Sequence, residues 1–571
     1  MYSPLARKQI FTNQQQAHDM KPNLLFVNLP NVPMDYIFEH LSSDTFLTLK
    51  KSMPLGILYL SSYLKRQHQA GQVGILDYAG SCEEAINCEN IDEFIYNIIQ
   101  EKVHFRPDLI LYSLMFSVSR VFCLRVIENL KKIWPESLYI VGGVHATNET
   151  RQLLENKHID YVFRGEAETS LSQFISQLSD GNPVNIKGVY TKGKIVQNRS
   201  LEVGEFIQNL DEIPFPDWDL IDMDMYKRIS YITVTGRERG NDHDVFSSVI
   251  LGTRGCPGRC TFCSQHTTHG RRLRHRSVES IIEEMKTLNS KFRVTTFVPN
   301  DDMFLSKKTR NLDLLHAIRD LQIPHLEMQF PNGLHVNSMD RETMDALKNA
   351  GTKVVNLAIE SGSDYVQKHV VHKFVNLQKA KEVVTYFRKI DVFTRCFFIL
   401  GFAGETREQM RETIEYAKSL HADWCDFFEA VPLIGSEMYE QYKDMGCISE
   451  DECEWSKAYF LGRDFDTPEI TAIDLRELAY RANLECNFLN NYNKKTGNYE
   501  KAISLYKDII ARYPFHIIAW YSMMECYENL ENKEKTNEIS DKIKEIIKED
   551  NLSLDMFKKY NDLMPKIMCD V

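Results

Sequence analysis

Ser248-Val249-Ile250-Leu251-Gly252-Thr253-Arg254-Gly255-Cys256-Pro257-Gly258-Arg259-Cys260-Thr261-Phe262-Cys263 carries the decisive pattern of this chain. Residues 248–251 are strand-sized. A loop bearing glycine and proline follows, with cysteines spaced C-x3-C-x2-C. Downstream, strands are predicted at residues 248–251, 295–298, 325–330, 354–358, 394–400 and 424–430. Helices are predicted between them at 277–288, 308–320, 340–350, 377–389 and 407–420. Short apolar strands alternating with amphipathic helices specify a parallel sheet. Six repeats predict a partial (β/α)6 barrel over residues 248–440, with its site at the carboxyl ends of the strands. The cysteine loop follows the first of them.

Upstream, residues 23–198 show a separate alternation of the same kind. Strands are expected at 24–29, 73–77, 108–113, 138–141 and 161–163, and helices at 54–68, 91–101, 118–133 and from 168. This is the pattern of an α/β, flavodoxin-like doubly wound sheet of Rossmann type, whose ligands bind beyond the strands' carboxyl ends. Residues 1–22 read as a flexible tail. Residues 199–247, with Pro214 and Pro216, read as a linker, because proline holds the chain extended and cannot continue a helix. Residues 441–571 read as all-α. Within them, residues 497–527 have the small and aromatic spacing of one tetratricopeptide (TPR) repeat, which leaves open a helical cap or a site for a protein partner.

With 571 residues the chain is too long for one core. A net charge of −12 argues against broad nucleic-acid binding, although Arg271-Arg272-Leu273-Arg274-His275-Arg276 is a local basic run. No apolar signal core and no membrane-length apolar stretch is visible, so a cytoplasmic location is expected. The 13 cysteines, odd in number and without a secretory signal, do not form a disulfide framework.

Cys256, Cys260 and Cys263 need another account. Thiolates are the usual ligands of iron–sulfur clusters. Three of them on a [4Fe–4S] cluster leave one iron open, and an open coordination position is what catalysis requires. A structural zinc site completed by His266 or His269 is the competing reading.

These residues resemble the radical S-adenosylmethionine (SAM) enzymes with an N-terminal cobalamin (B12)-binding domain. That group includes the anaerobic Mg-protoporphyrin monomethyl ester cyclase and cobalamin-dependent methyltransferases. The likeness runs over residues 23–440. It is carried by Arg254-Gly255-Cys256 to Cys263-Ser264, Asp301-Asp302-Met303-Phe304, Ile359-Glu360-Ser361-Gly362-Ser363 and Leu400-Gly401-Phe402-Ala403-Gly404-Glu405-Thr406, with Ala403 where the family usually has proline.

The resemblance implies a [4Fe–4S] cluster on the three cysteines, with SAM on its open iron. Asp301 and Asp302 then meet the SAM amino group, Glu360 its ribose, Phe262 its adenine, and Asn332 and Arg395 further polar groups. Helix-capping acids, a buried acid paired with lysine, and a core phenylalanine are the bland readings of Asp301/Asp302, Glu360 and Phe262. Cobalamin is implied at Pro54, Leu55, Gly56, Ser113, Gly142, Gly143, Val144, His145 and Glu166. Asp77-Tyr78-Ala79-Gly80 stands in place of the motif that supplies a lower axial histidine. A tight turn with a surface histidine is the alternative for residues 142–145.

The implied activity is C-methylation of an unactivated carbon by way of a 5′-deoxyadenosyl radical and methylcobalamin. An external electron donor such as flavodoxin or ferredoxin is implied, under anaerobic conditions, with a small-molecule or peptide substrate. The alternatives are radical cyclisation, rearrangement or carbon–carbon coupling without methyl transfer, and a non-enzymatic cobalamin or redox sensor.

Overall fold

A computed structural model of the chain describes residues 21–40, 52–182, 184–197, 201–227, 246–449 and 462–567. Of the expected tail at 1–22, residues 1–20 lie outside them, as do residues 199–200 and 228–245 of the linker, Cys453 and Cys569. The described residues fall into two compact units. The first takes the described residues up to 227, those from 246 to 304 and those from 431 to 464, and the second takes those from 305 to 430 and from 465 onward.

In the first unit a six-stranded sheet has the order β2-β1-β3-β4-β5-β6. Its strands are β1 (Leu24–Asn28), β2 (Val73–Asp77), β3 (Leu109–Ser113), β4 (Leu138–Gly142), β5 (Tyr161–Phe163) and β6 (Val189–Tyr190). The first five are parallel, and β6 runs antiparallel to β5. Two residues are too few for a periodicity, so β6 was not expected from sequence.

Consecutive side chains point to opposite faces of a strand. Leu25, Val27, Ile110, Tyr112, Tyr139 and Val141 therefore enter one core, with residues of helices Ile91–Lys102 and Arg120–Ile133. Leu24, Phe26, Leu109, Leu111 and Ile140 enter the other, with residues of helices Leu55–Arg66 and Glu168–Ser179. Two covered faces explain why these strands read as unbroken apolar runs. Strand order reverses between β1 and β3, which creates a crevice at their carboxyl ends.

The same unit holds β7 (Ser247–Ile250), parallel to β10 (Thr296–Pro299), and a short antiparallel pair, β8 (Thr253–Arg254) with β9 (Arg274–His275). The strands expected at 248–251 and 295–298 are β7 and β10, and the other four lie in the second unit.

The second unit begins its strands with β11 (Glu327–Met328), much shorter than the predicted 325–330 between Pro324 and Pro331. It continues with parallel β12 (Val354–Glu360), β13 (Phe393–Leu400) and β14 (Trp424–Glu429), joined by helices Leu377–Lys389 and Arg407–Leu420. The latter starts on a capping box, in which Gln409 N donates to Thr406 Oγ1 and Thr406 N donates to Gln409 Oε1.

The tail helices Ala472–Leu484, Tyr499–Arg512, Ile517–Asn529, Lys533–Glu549 and Asn551–Tyr560 belong to this unit. Their core takes in Phe393 and Trp424 from the strands. A single π turn, Glu485–Leu489, sets Asn487 beside β14. Asn487 Nδ2 donates to Cys425 O (2.6 Å) and its Oδ1 accepts from Cys425 N (2.7 Å). Asn483 pairs likewise with Phe427, at 3.2 and 3.3 Å. Two side-chain amides therefore occupy the edge groups of β14 as a further strand would.

Candidate functional site: the cysteine loop and the glycine rim

The cysteine loop is closed at its neck by β8 and β9, and Cys256 N donates to Gly270 O at 3.3 Å. Gly255 has φ +86°, and a Cβ there would lie 2.4 Å from Arg272 O, so only glycine fits. Cys256, Cys260 and Cys263 are all partly exposed. A Cβ on Gly258 would lie 3.2 Å from Cys256 Sγ and 3.8 Å from Cys260 Sγ, so two sulfurs flank this one glycine, and Gly258 N donates to Cys256 Sγ. Three soft donors on a glycine-floored loop fit an iron–sulfur cluster. Among the described residues no three His, Cys, Asp or Glu side chains converge on a single-ion position. A cluster spreads its sulfur ligands over separate irons and does not need such convergence. A cleft of about 300 Å³ opens beside Cys260, lined also by His266, Arg271 and Ser436. Met438 N donates to Thr261 O and ties down that flank.

Asp301 and Asp302 follow β10. The Asp301 carboxylate accepts from Gly252 N (3.0 Å) and Thr253 Oγ1 (2.7 Å), and Asp302 Oδ2 accepts from Gly255 N (2.9 Å). Both acids thereby fix the entry to the cysteine loop, a local task that their sequence position did not reveal. Burial pushes the Asp301 carboxyl up to about 7, against the hydrogen bonds from Thr253 and Gly252.

Phe262 is half-buried in the cysteine loop, and Asn332 is exposed in the turn that ends at Gly333. Glu360 and Arg395 lie in the second unit. Glu360 is buried and paired with Lys373 at 2.5 Å, as the lysine-paired reading anticipates. It also has φ +69° at a register shift of β12. A glutamate held in the left-handed region costs about 1–3 kcal/mol, and such strain gathers at functional sites. Arg395 makes a bidentate pair with Asp426. Glu405, next to the capping box, accepts at Oε2 from Gly401 N (2.7 Å) and Phe402 N (3.0 Å). Burial pushes its carboxyl up to about 8, so it holds its proton near neutrality.

On the six-stranded sheet, Ser113 and Gly142 end β3 and β4, and Gly143 caps helix Val144–Asn148. Gly143 has φ +106°, and a Cβ would come within 2.6 Å of Leu114 O. Pro54 caps helix Leu55–Arg66, and nothing lies within 4 Å of a Cβ built on the exposed Gly56. Met115 and Phe116, missed in the sequence, stand 45% exposed just beyond β3 and add apolar surface. A rim of glycine backbone and exposed apolar side chains suits a bulky, flat ligand such as a corrin.

His145 is a buried residue, not a surface one: its Nδ1 meets Ser117 Oγ at 2.9 Å, and burial, aided by Arg120, lowers its pKa to about 3. Asp77 accepts from Asn28 Nδ2, Gly80 N and Tyr226 and so closes the end of β2. Glu166, expected on the corrin rim, is engaged elsewhere. Its oxygens accept from Arg274 Nη1 (2.8 Å) and Nη2 (2.5 Å), with His269 Nδ1 at 2.8 Å and Arg254 Nη1 at 3.4 Å. Burial alone would raise its pKa, but Arg274, His269 and Arg254 hold it down at about 2. The basic run 271–276 is split accordingly: Arg274 and Arg276 are buried in ion pairs with Glu166 and Glu284, and Arg271 and Arg272 are exposed.

Residues 250–417 match the radical SAM superfamily and residues 50–175 match the B12 binding domain. An uncharacterized methyltransferase of Pyrococcus horikoshii is 30% identical over 393 residues, 68% of this chain and 78% of its own length. The cytidylyl-2-hydroxyethylphosphonate methyltransferase of Streptomyces wedmorensis is 27% identical over 447 residues, 72% of this chain and 81% of its own. Among solved structures, the cobalamin-dependent SAM radical enzyme OxsB, with aqua-cobalamin and SAM bound, superposes with a TM-score of 0.62 at 14% identity. The match covers 96% of this chain and 85% of OxsB, which shows a shared fold. Among the described residues no helix is long and apolar enough to cross a membrane. Cysteine loop, glycine rim and relatives agree, and the chain belongs to the radical SAM enzymes that carry a B12-binding domain.

Proposed function

We propose that this chain is a cobalamin-dependent radical SAM C-methyltransferase acting on an unactivated carbon. One observation carries the reading: the cysteine loop and the glycine rim belong to one compact unit. When bound, the cluster supplies the electron that cleaves SAM, and the corrin supplies a methyl carrier.

Cys256, Cys260 and Cys263 hold the cluster, and Gly258 leaves room between two of the sulfurs. Asp302 orients the SAM ammonium, a charge-assisted contact, and Glu360 takes its ribose from a strained, well-fixed position. Phe262, Asn332 and Arg395 serve adenine and polar groups of SAM, with Arg395 oriented by Asp426. Asp301 holds the loop itself. Pro54, Leu55, Gly56, Ser113, Gly142, Gly143 and Val144 form the corrin rim, with Met115 and Phe116 added. A one-electron donor protein of flavodoxin or ferredoxin type and a cytoplasmic, oxygen-poor setting complete the reading, since exposed thiolates need reducing surroundings.

The test is product stoichiometry. Protein reconstituted anaerobically with iron, sulfide and hydroxocobalamin, then reduced, is expected to convert SAM to both S-adenosylhomocysteine and 5′-deoxyadenosine. Cobalamin-free protein is expected to form only 5′-deoxyadenosine. Formation of 5′-deoxyadenosine without S-adenosylhomocysteine in both preparations would overturn methyl transfer in favour of a radical reaction that leaves no methyl behind.

A further inference from the structure

The loop after β5, on the sheet that carries the glycine rim, grips the cysteine loop at both ends. At the entry, Arg254, two residues before Cys256, pairs with Glu168 at 2.7 Å and Glu166 at 3.4 Å. At the exit, His269 and Arg274 pair with Glu166. Arg274 also donates to Ile207 O (2.8 Å) and His269 O (3.1 Å), and its guanidinium lies 4.9 Å from the Phe206 ring centroid. Arg254 lies 5.3 Å from the Tyr59 ring centroid, on the helix that begins at Leu55. The side chains of Glu166 and Arg274 are 3% exposed, and those of Arg254 and Glu168 are 5% exposed. Gly165, with φ +78°, keeps the backbone low enough that its Cβ position would lie 3.5 Å from Thr268 O.

We infer that Glu166 is a positioning residue, the strut by which the B12-binding fold sets the place of the cluster loop. This rests on the reading above, in which one substrate is served by two cofactors held on different loops. Such chemistry needs the loops at a fixed spacing, since a displacement of about 1 Å costs on the order of a hundredfold in rate. A bidentate carboxylate–guanidinium pair is directional as well as strong. With both oxygens held by Arg274 and one each also near His269 and Arg254, Glu166 is committed to the loop and not to a ligand. Lysine in place of Arg274 or Arg254 could not reproduce this, because an ammonium lacks the planar fork.

The experiment is Glu166→Gln in the full-length chain, read first without cofactors by amide hydrogen exchange. Peptides covering residues 255–273 are expected to exchange at least about tenfold faster, with β1, β3 and β13 unchanged. Reconstituted with iron, sulfide and hydroxocobalamin, the variant is expected to bind cobalamin as the parent does by visible absorbance. Its reduced-cluster EPR spectrum is expected to differ from the parent's on addition of SAM. If Glu166→Gln does not fold, His269→Gln, which removes one partner, is expected to give the same local change at about threefold. Unchanged exchange over 255–273 would overturn the strut, and so would a tenfold loss of cobalamin affinity with an unchanged EPR spectrum, the signature of a corrin contact. The exchange measurement needs neither cofactor, so it stands even where the parent takes up no cobalamin, the result that would sink the proposed function.

Discussion

At the residue scale, the ligand role proposed for Cys256, Cys260 and Cys263 makes all three thiolates necessary to one cluster. Replacing Cys256, Cys260 or Cys263 singly by alanine is expected to drop bound iron from about four per chain to below about one after anaerobic reconstitution, by iron assay and absorbance. A variant that kept its full iron would remove that cysteine from the ligand set. Glu405 gives a pH test independent of cofactors. Its folded pKa of about 8 lies above the ordinary 4.5, so the folded state holds its proton more tightly than the unfolded chain. Stability from this group is intact below about pH 4.5 and declines as pH rises through about 8. Glu405→Gln keeps an acceptor for Gly401 N and Phe402 N and has no proton to lose. Its thermal midpoint is expected to match the parent's near pH 5 and to exceed it by several degrees near pH 8. Equal pH slopes in the two proteins would show that Glu405 ionises normally.

At the element scale, the sequence was most legible where burial is two-sided or periodic. β2 and β5 and the helices Leu377–Lys389 and Arg407–Leu420 fall on their predicted bounds, because apolar spacing and caps mark their ends. β6, β8 and β9 have two residues each and leave no such mark, and β11 shrinks between prolines. The three cysteines were legible because spacing alone defines them. The partners of Glu166 were not, since Arg254 and Arg274 lie 88 and 108 positions away in the chain. Asn487 is equally silent in sequence, yet it serves both edge groups of Cys425. Asn487→Ala leaves a buried N–H and C=O unmet and is expected to cost about 1–3 kcal/mol in denaturant unfolding. Asn487→Asp keeps the acceptor but sets a buried carboxyl oxygen against Cys425 O, and is expected to cost at least as much. No change on either substitution would mean that water serves the β14 edge as well as the tail does.

At the scale of the whole molecule, both candidate cofactor loops lie in the first unit, while Glu360, Arg395 and the tail helices lie in the second. A ligand that binds only the folded state stabilises whatever folds together with its site. Hydroxocobalamin at a hundred times its Kd therefore adds about 2.7 kcal/mol against any opening that disrupts the rim. Core amides of β1 and β3, such as those of Phe26 and Leu111, are expected to slow by about a hundredfold in hydrogen exchange. Amides of helix Tyr499–Arg512 are expected to keep their rates, because their core is built from tail helices with Phe393 and Trp424 and contains no part of the rim. Protection of the same size in both places would mean that the chain opens as a single cooperative body, so that cofactor loading governs the lifetime of the tail as well. Protection in neither place would mean that the glycine rim takes no corrin, and cobalamin-dependent methyl transfer would fall with it.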